Sequence, residues 1–329
     1  MAATFSPNAE LSWKLLEGME RIRLIEEAIA AKYNEKPQKM RCPVHLSIGQ
    51  EAVAAGVGLA LRPDDLAMSG HRSHAHYLAK GGDLNAMIAE ICGKETGCCR
   101  GRGGSMHLVD LKAGFVGAVP IVGSTIPIAV GLAFADLRLK RDRVTAAFFG
   151  EAATEEGVFH ESVNFATLHK LPVVFVCENN LYSVYSPMSV RQPAHREVFS
   201  VAAGHGLASW QGDGNDAHAV YELMTEAADH ARTGKGPVFL ELKTYRWREH
   251  CGPNFDNNIG YRTEAEYEEW RVRDPLERLL REMFEAKIFD DSRRVNFVKS
   301  VQMEIAAAFA AADRAPFPDP SGLLDHVYA

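Results

Sequence analysis

The strongest constraint on the fold of this chain is a pair of short apolar runs, Val144 to Phe149 and Val173 to Val176, rich in aromatic and β-branched residues. Each is too short for a helix and apolar throughout, the pattern of a strand buried on both faces of a parallel sheet. Between them Phe159, Val163, Ala166 and Thr167 recur at roughly helical spacing, which predicts a helix over about 154–168, and Pro172 follows where it cannot extend that helix. Strand, helix, strand is the repeating unit of an α/β fold.

Both strands end in polar residues: Glu151 after the first, Asn179 and Asn180 after the second. In open α/β sheets the carboxyl ends of the strands face the ligand crevice. A carboxylate, a carboxamide and the backbone carbonyl of Tyr182 are hard oxygen donors, suited to Mg²⁺ or Ca²⁺ and not to zinc. Gly150, Ala152 and Ala153 are small enough to leave room for a phosphate near the helix N-terminus, where free N–H groups favour anions. The residues alone thus point to a metal bound to a phosphate.

The run from Gly150 to Pro187, GEAATEEGVFHESVNFATLHKLPVVFVCENNLYSVYSP, resembles the thiamine diphosphate motif of the E1 α subunits of 2-oxoacid and acetoin dehydrogenases. The resemblance implies Glu151, Asn180 and the Tyr182 carbonyl as ligands of Mg²⁺. It departs from the family at its start, where Gly-Glu-Ala replaces the usual Gly-Asp-Gly. Glutamate keeps the charge but adds a methylene, and Mg²⁺ holds its ligands at about 2.0–2.1 Å. A literal Gly212-Asp213-Gly214 is a decoy, because Leu242 stands where the second ligand would be; Gly212 to Asp216 reads as a turn into a helix, with Asp216 as its N-cap.

Other segments extend the resemblance over about residues 10–329. In Ser69 to His76 it implies that Arg72 and His71 hold the diphosphate, with His71 standing where the family often has Tyr, and that His74 lies near the substrate. A guanidinium fork matches phosphate oxygens geometrically. The glycine-rich Gly101 to His107 and its continuation to Pro127 imply contacts to the cofactor rings from the Pro120 carbonyl and from Val122. The His250 position implies a group that touches the diphosphate and moves a proton during catalysis. Arg248, Glu249 and Cys251 around it differ from the usual loop.

Elsewhere the pattern is scaffold. Residues 11–33 alternate as an amphipathic helix, Ser47 stands as the cap of a helix through Leu61, Ala217 to Thr233 reads as a helix and Val238 to Lys243 as a buried strand. Helices near 264–272, 275–286 and 292–312 follow. The expected organisation is a helical region over 1–62, the thiamine diphosphate-binding α/β domain over 63–262 and a helical extension over 263–329. A net charge of −7 without a basic cluster argues against a nucleic-acid partner, and no apolar run reaches the roughly 18 residues of a membrane span. The N-terminus lacks a signal-peptide core, and the six cysteines lack metal-site spacing, so a cytoplasmic protein with free thiols is expected.

The resemblance implies an enzyme that needs a β subunit, in an α₂β₂ assembly with the cofactor at their interface. It would decarboxylate a 2-oxoacid or cleave acetoin, a small carbonyl substrate in either case, and pass the acyl group to a lipoyl-bearing E2. Two alternatives stand beside it: an E2-independent decarboxylase or carboligase acting on a carbonyl or sugar acceptor, and a degraded scaffold subunit whose metal site has failed.

Overall fold

The structure is a computed structural model that describes residues 8–325 and 327. Helix α1 (Ala9–Tyr33) begins at Asn8, whose side chain caps it by accepting from the N–H groups of Glu10 and Leu11. Then come α2 (Glu51–Ala60), β1 (Leu66–Ser69), α3 (His74–Ala79), α4 (Leu84–Ile91), β2 (Phe115–Ala118), α5 (Thr125–Arg138), β3 (Thr145–Gly150), α6 (Gly157–Leu168) and β4 (Val173–Asn179). A small hairpin, β5 (Tyr182–Ser183) and β6 (Ser186–Pro187), leads through α7 (Met188–Arg191) and α8 (Val198–Ala203) to β7 (Ala208–Asp213), α9 (Ala217–Arg232) and β8 (Val238–Lys243). Helices α10 (Glu264–Arg271), α11 (Pro275–Glu285) and α12 (Asp291–Arg314) follow, with a 3₁₀ turn over Pro320–Gly322 after them.

Six strands form one parallel sheet in the order β2-β1-β3-β4-β8-β7. Side chains alternate across it with period two. Ala146, Phe148, Val174, Val176, Val238 and Leu240 face one apolar cluster with α1, α2, α4, α9 and α12. Ala147, Phe149, Val173, Phe175, Cys177 and Phe239 face another with α5, α6 and α8. A third cluster ties Trp13, Leu16 and Met19 of α1 to α2 and to Leu276, Leu280 and Met283 of α11. The central strands are apolar throughout because both faces are covered, and the expected α/β class with helical ends is the fold found.

The structure adjusts three local expectations. Ser47 does not cap a helix: α2 starts four residues later behind Gln50, and Ser47 instead accepts the Gln50 N–H through its carbonyl. The segment after Gly150 is a short 3₁₀ turn over Glu151–Glu155 before α6. Gly212 and Asp213 end strand β7, and only Gly214 and Asn215 turn before Asp216 caps α9 by accepting from the Ala219 N–H. All six cysteines are free. Among the described residues no helix is long and apolar enough to cross a membrane.

Candidate active site

Strand order reverses around β1: the chain leaves it for β2 on one side and returns to β3 on the other. The crevice outside the carboxyl ends at such a switch point is where open α/β sheets bind ligands. A cavity lies there, lined among others by His71, Arg72, Pro120, Val122, Gly150, Glu151, Ala152, Ala153, Asn180, Tyr182 and His250. These come from five separate stretches of chain, four of which follow the ends of β1, β2, β3 and β4. At Gly70 and Gly150 an added Cβ would meet nothing within 4 Å, so the floor of the cavity is open backbone.

One wall is basic and imidazole-rich. The buried Arg72 guanidinium donates from Nη1 to the Leu46 carbonyl (2.6 Å) and from Nη2 to the His250 carbonyl (3.2 Å), with His250 Nδ1 at 3.5 Å. His250 is brought there because the chain beyond β8 pairs with the loop before α2: Trp247 N–H donates to the Ile48 carbonyl and Gly252 N–H to that of Val44. His45, His71 and His250 stand with ring centroids 4.7–5.1 Å apart. Burial, reinforced by the Arg72 charge, pushes His71 down to about 4 and His250 to about 3, and drives His45 the same way. Burial also lowers Arg72 to about 10, leaving it charged at neutral pH beside three neutral imidazoles. The set suits an anion.

Another part of the lining carries the oxygen donors. Asn180 Oδ1 accepts the Tyr182 N–H (3.3 Å), and Asn179 Oδ1 accepts the Leu181 N–H (3.1 Å). Between them Leu181 sits at φ +75°, a left-handed conformation costing a leucine about 1–3 kcal/mol, and the two asparagine amides hold it there. Glu151 is buried, which raises the pKa of its carboxyl, while an ion pair with Arg191 of α7 opposes the shift. Arg191 also pairs with Glu155. A resident cation thus already lies on the expected metal ligand.

His74 is the exception among the expected residues. It is fully buried and does not line the cavity. Its Nδ1 meets Glu26 at 2.9 Å and its Nε2 meets the Ser105 hydroxyl at 2.7 Å, so neither nitrogen is left for a substrate.

Three residues were not legible as site residues in the sequence. Gln50 lines the cavity and touches Asn180 across 130 positions. Arg191 reaches Glu151 from the end of the short helix α7. Glu90, buried in α4, accepts the N–H groups of Cys99, Gly101, Gly103 and Gly104 at 2.7–2.9 Å and so folds the glycine-rich loop from below. An isolated acidic residue in an otherwise apolar stretch of α4 was its only signal.

With this geometry in hand, comparison with known proteins is decisive. Residues 17–321 match the family described as Dehydrogenase E1 component. The chain belongs to that family. Among its relatives, the pyruvate dehydrogenase E1 component subunit alpha-3 of Arabidopsis thaliana, a chloroplastic protein, is 36% identical over 96% of this chain and 74% of its own length. The pyruvate dehydrogenase E1 component subunit alpha of Rickettsia felis is 32% identical over 98% of both chains. That of Rhizobium meliloti is 36% identical over 86% of this chain and 80% of its own. As an E1 component the chain is the α-type subunit of a thiamine diphosphate-dependent 2-oxoacid dehydrogenase, a class that holds its cofactor with a divalent metal ion.

The residues present fit that cofactor. Among the described residues, Gln50 Nε2 and His45 Nδ1 are buried polar atoms on the cavity wall with no protein partner. Natural proteins leave few such atoms unpaired, and a polyanion would engage donors here.

Proposed function

We propose that this chain acts with a β subunit, in an α₂β₂ assembly, to decarboxylate a 2-oxoacid and hand the acyl group to a lipoyl acceptor. Pyruvate is the first substrate to try, because the relatives are named for it. The observation that carries this reading is that one cavity is lined by a buried guanidinium, by neutral imidazoles and by oxygen donors together. Arg72, His71 and His250 would hold the diphosphate; Glu151, Asn180 and the Tyr182 carbonyl would hold Mg²⁺; the Pro120 carbonyl and Val122 would support the rings. Gly150, Ala152 and Ala153 leave the phosphate its space. When bound, thiamine diphosphate supplies the electron sink that decarboxylation needs.

The chain's own groups then bind, orient and move protons. His250, held neutral at pH 7 by burial and the Arg72 charge, is a weak base as it stands, and an anion beside it would raise its pKa and let it take up a proton. His74 serves by position: it ties Ser105 of the glycine-rich loop to Glu26 of α1 beneath the site.

The test is decarboxylation of a 2-oxoacid panel and cleavage of acetoin by the chain co-expressed with its β subunit, using an artificial electron acceptor, with and without lipoyl acceptor. Cofactor-dependent turnover is expected, and Arg72→Ala should lower affinity for the diphosphate about 100-fold, as loss of charge-assisted bonds does. Tight cofactor binding with every 2-oxoacid and acetoin inert would overturn the substrate class.

A further inference from the structure

We infer that Gln50 is a positioning residue that fixes which end of the Asn180 carboxamide faces the metal, and that its own amide N–H is aimed at an anionic oxygen in the cavity. The inference rests on the functional reading above and assigns a role to a residue outside it.

A carboxamide has an accepting end and a donating end. The Tyr182 N–H can only meet the oxygen of Asn180, and the Asn180 nitrogen donates to Gln50 Oε1 at 3.1 Å. These two bonds set the amide in one sense. Its oxygen keeps a second lone pair for a cation; reversed, the amide would turn an NH₂ group towards both the Tyr182 N–H and the metal. Gln50 Oε1 is the acceptor that makes the reversed state lose a bond.

The same contact fixes Gln50. With Oε1 turned to Asn180, Nε2 points away from it, and that nitrogen is buried without a partner in a side chain 1% exposed on the cavity wall. An unpaired buried donor costs about 1–3 kcal/mol, which an acceptor in the cavity would recover. The neighbouring wall holds a second unpartnered atom, His45 Nδ1, together with the Arg72 guanidinium, so the acceptor these groups suit is an anionic oxygen such as that of a phosphate.

The base from which Gln50 projects is fixed. Its N–H donates to the Ser47 carbonyl at 2.8 Å. Gly49 lies at φ +101°, where a Cβ would come within 2.6 Å of the Tyr245 carbonyl and 2.8 Å of the Trp247 ring. Glu51 accepts the Gly49 N–H and pairs with Arg23 of α1. No residue but glycine fits before Gln50, and the side chain leaves the backbone from one place.

The experiment uses the full chain assembled with its β subunit and needs no turnover. Mn²⁺ alone is titrated by the paramagnetic resonance of the free ion, and inorganic pyrophosphate is titrated calorimetrically with Mn²⁺ present. Gln50→Met keeps the volume and removes both amide functions; it should weaken Mn²⁺ and pyrophosphate by at least about tenfold each. Gln50→Glu keeps the acceptor for Asn180 but replaces the donor with negative charge; it should retain Mn²⁺ affinity and lose at least about tenfold for pyrophosphate. A packing defect would not separate the two ligands. If Gln50→Glu loses both equally, or Gln50→Met keeps both within about twofold, the inference is overturned. Should Gln50→Met fail to fold, the split in Gln50→Glu decides alone. An unaltered assembly that binds neither probe would bring down the functional reading as well, whereas one that binds both with no response to either variant brings down only the inference.

Discussion

The histidines at the cavity and the one beneath it are built on opposite terms. His74 is closed: Glu26 on one nitrogen, Ser105 on the other, no contact with the cavity. His45, His71 and His250 are open: ring against ring, facing the cavity, with Arg72 beside them and His45 Nδ1 unpartnered. The same side chain serves as a strut where its bonds are complete and as a receptor where they are not. A count of histidines between residues 71 and 76 does not distinguish the two; the bonding of each ring does.

The two kinds of histidine should differ most in what they contribute to stability. His74→Ala removes one partner from a buried carboxylate and should destabilise the fold by about 3–5 kcal/mol, whereas His71→Ala should cost less than about 1 kcal/mol. Urea unfolding of both variants measures the contrast, and equal losses would erase it.

Acidity sharpens the same contrast. The folded chain holds His71 and His250 neutral at values near 4 and 3, while an unfolded imidazole returns to about 6.5. Between those limits the unfolded state binds more protons, so stability is full above about pH 6.5 and is lost as pH falls towards 4, by up to about 1.4 kcal/mol per pH unit for each imidazole. Unfolding midpoints between pH 7 and 5 should fall steeply, and His71→Phe should flatten the slope. An unchanged slope in that variant would show that the open group does not set the acid response.

The smallest effect concerns the oxygen donors. Arg191 occupies Glu151, so Arg191→Ala should tighten Mn²⁺ binding roughly three- to tenfold, on the order of 1 kcal/mol, by removing a competing cation. Weaker binding in that variant would mean that Arg191 presents the carboxylate to the metal and does not compete for it.

The β3-α6-β4 unit was readable because its strands are apolar on both faces and its helix has a marked end. The four-residue strands β1 and β2 were not: Leu66–Ser69 and Phe115–Ala118 are too short to carry a pattern, and they become strands through pairing with β3 and with each other. The site was legible where its residues cluster in sequence, as in Ser69 to Arg72 and Glu178 to Tyr182. It was illegible where it depends on distance. Nothing near Gln50 announces Asn180, nothing near Arg191 announces Glu151, and His74 looks like its neighbours until Glu26, 48 residues earlier, is seen against it. Ser47 was misread because a good capping residue preceded the true start of α2, which Gln50 and the Glu51–Arg23 pair determine from within the fold.

Ile121 and Val122, at the rim of the cavity, are 70% and 47% exposed. Aliphatic side chains left in water beside a binding site are half of a seam. On the reading proposed here, a reactive cofactor is sealed from water only when a second subunit lies against them, so the free chain would leave its ligand open to solvent. Output would then count joined complexes and not chains, and dilution below the point of assembly would switch the enzyme off.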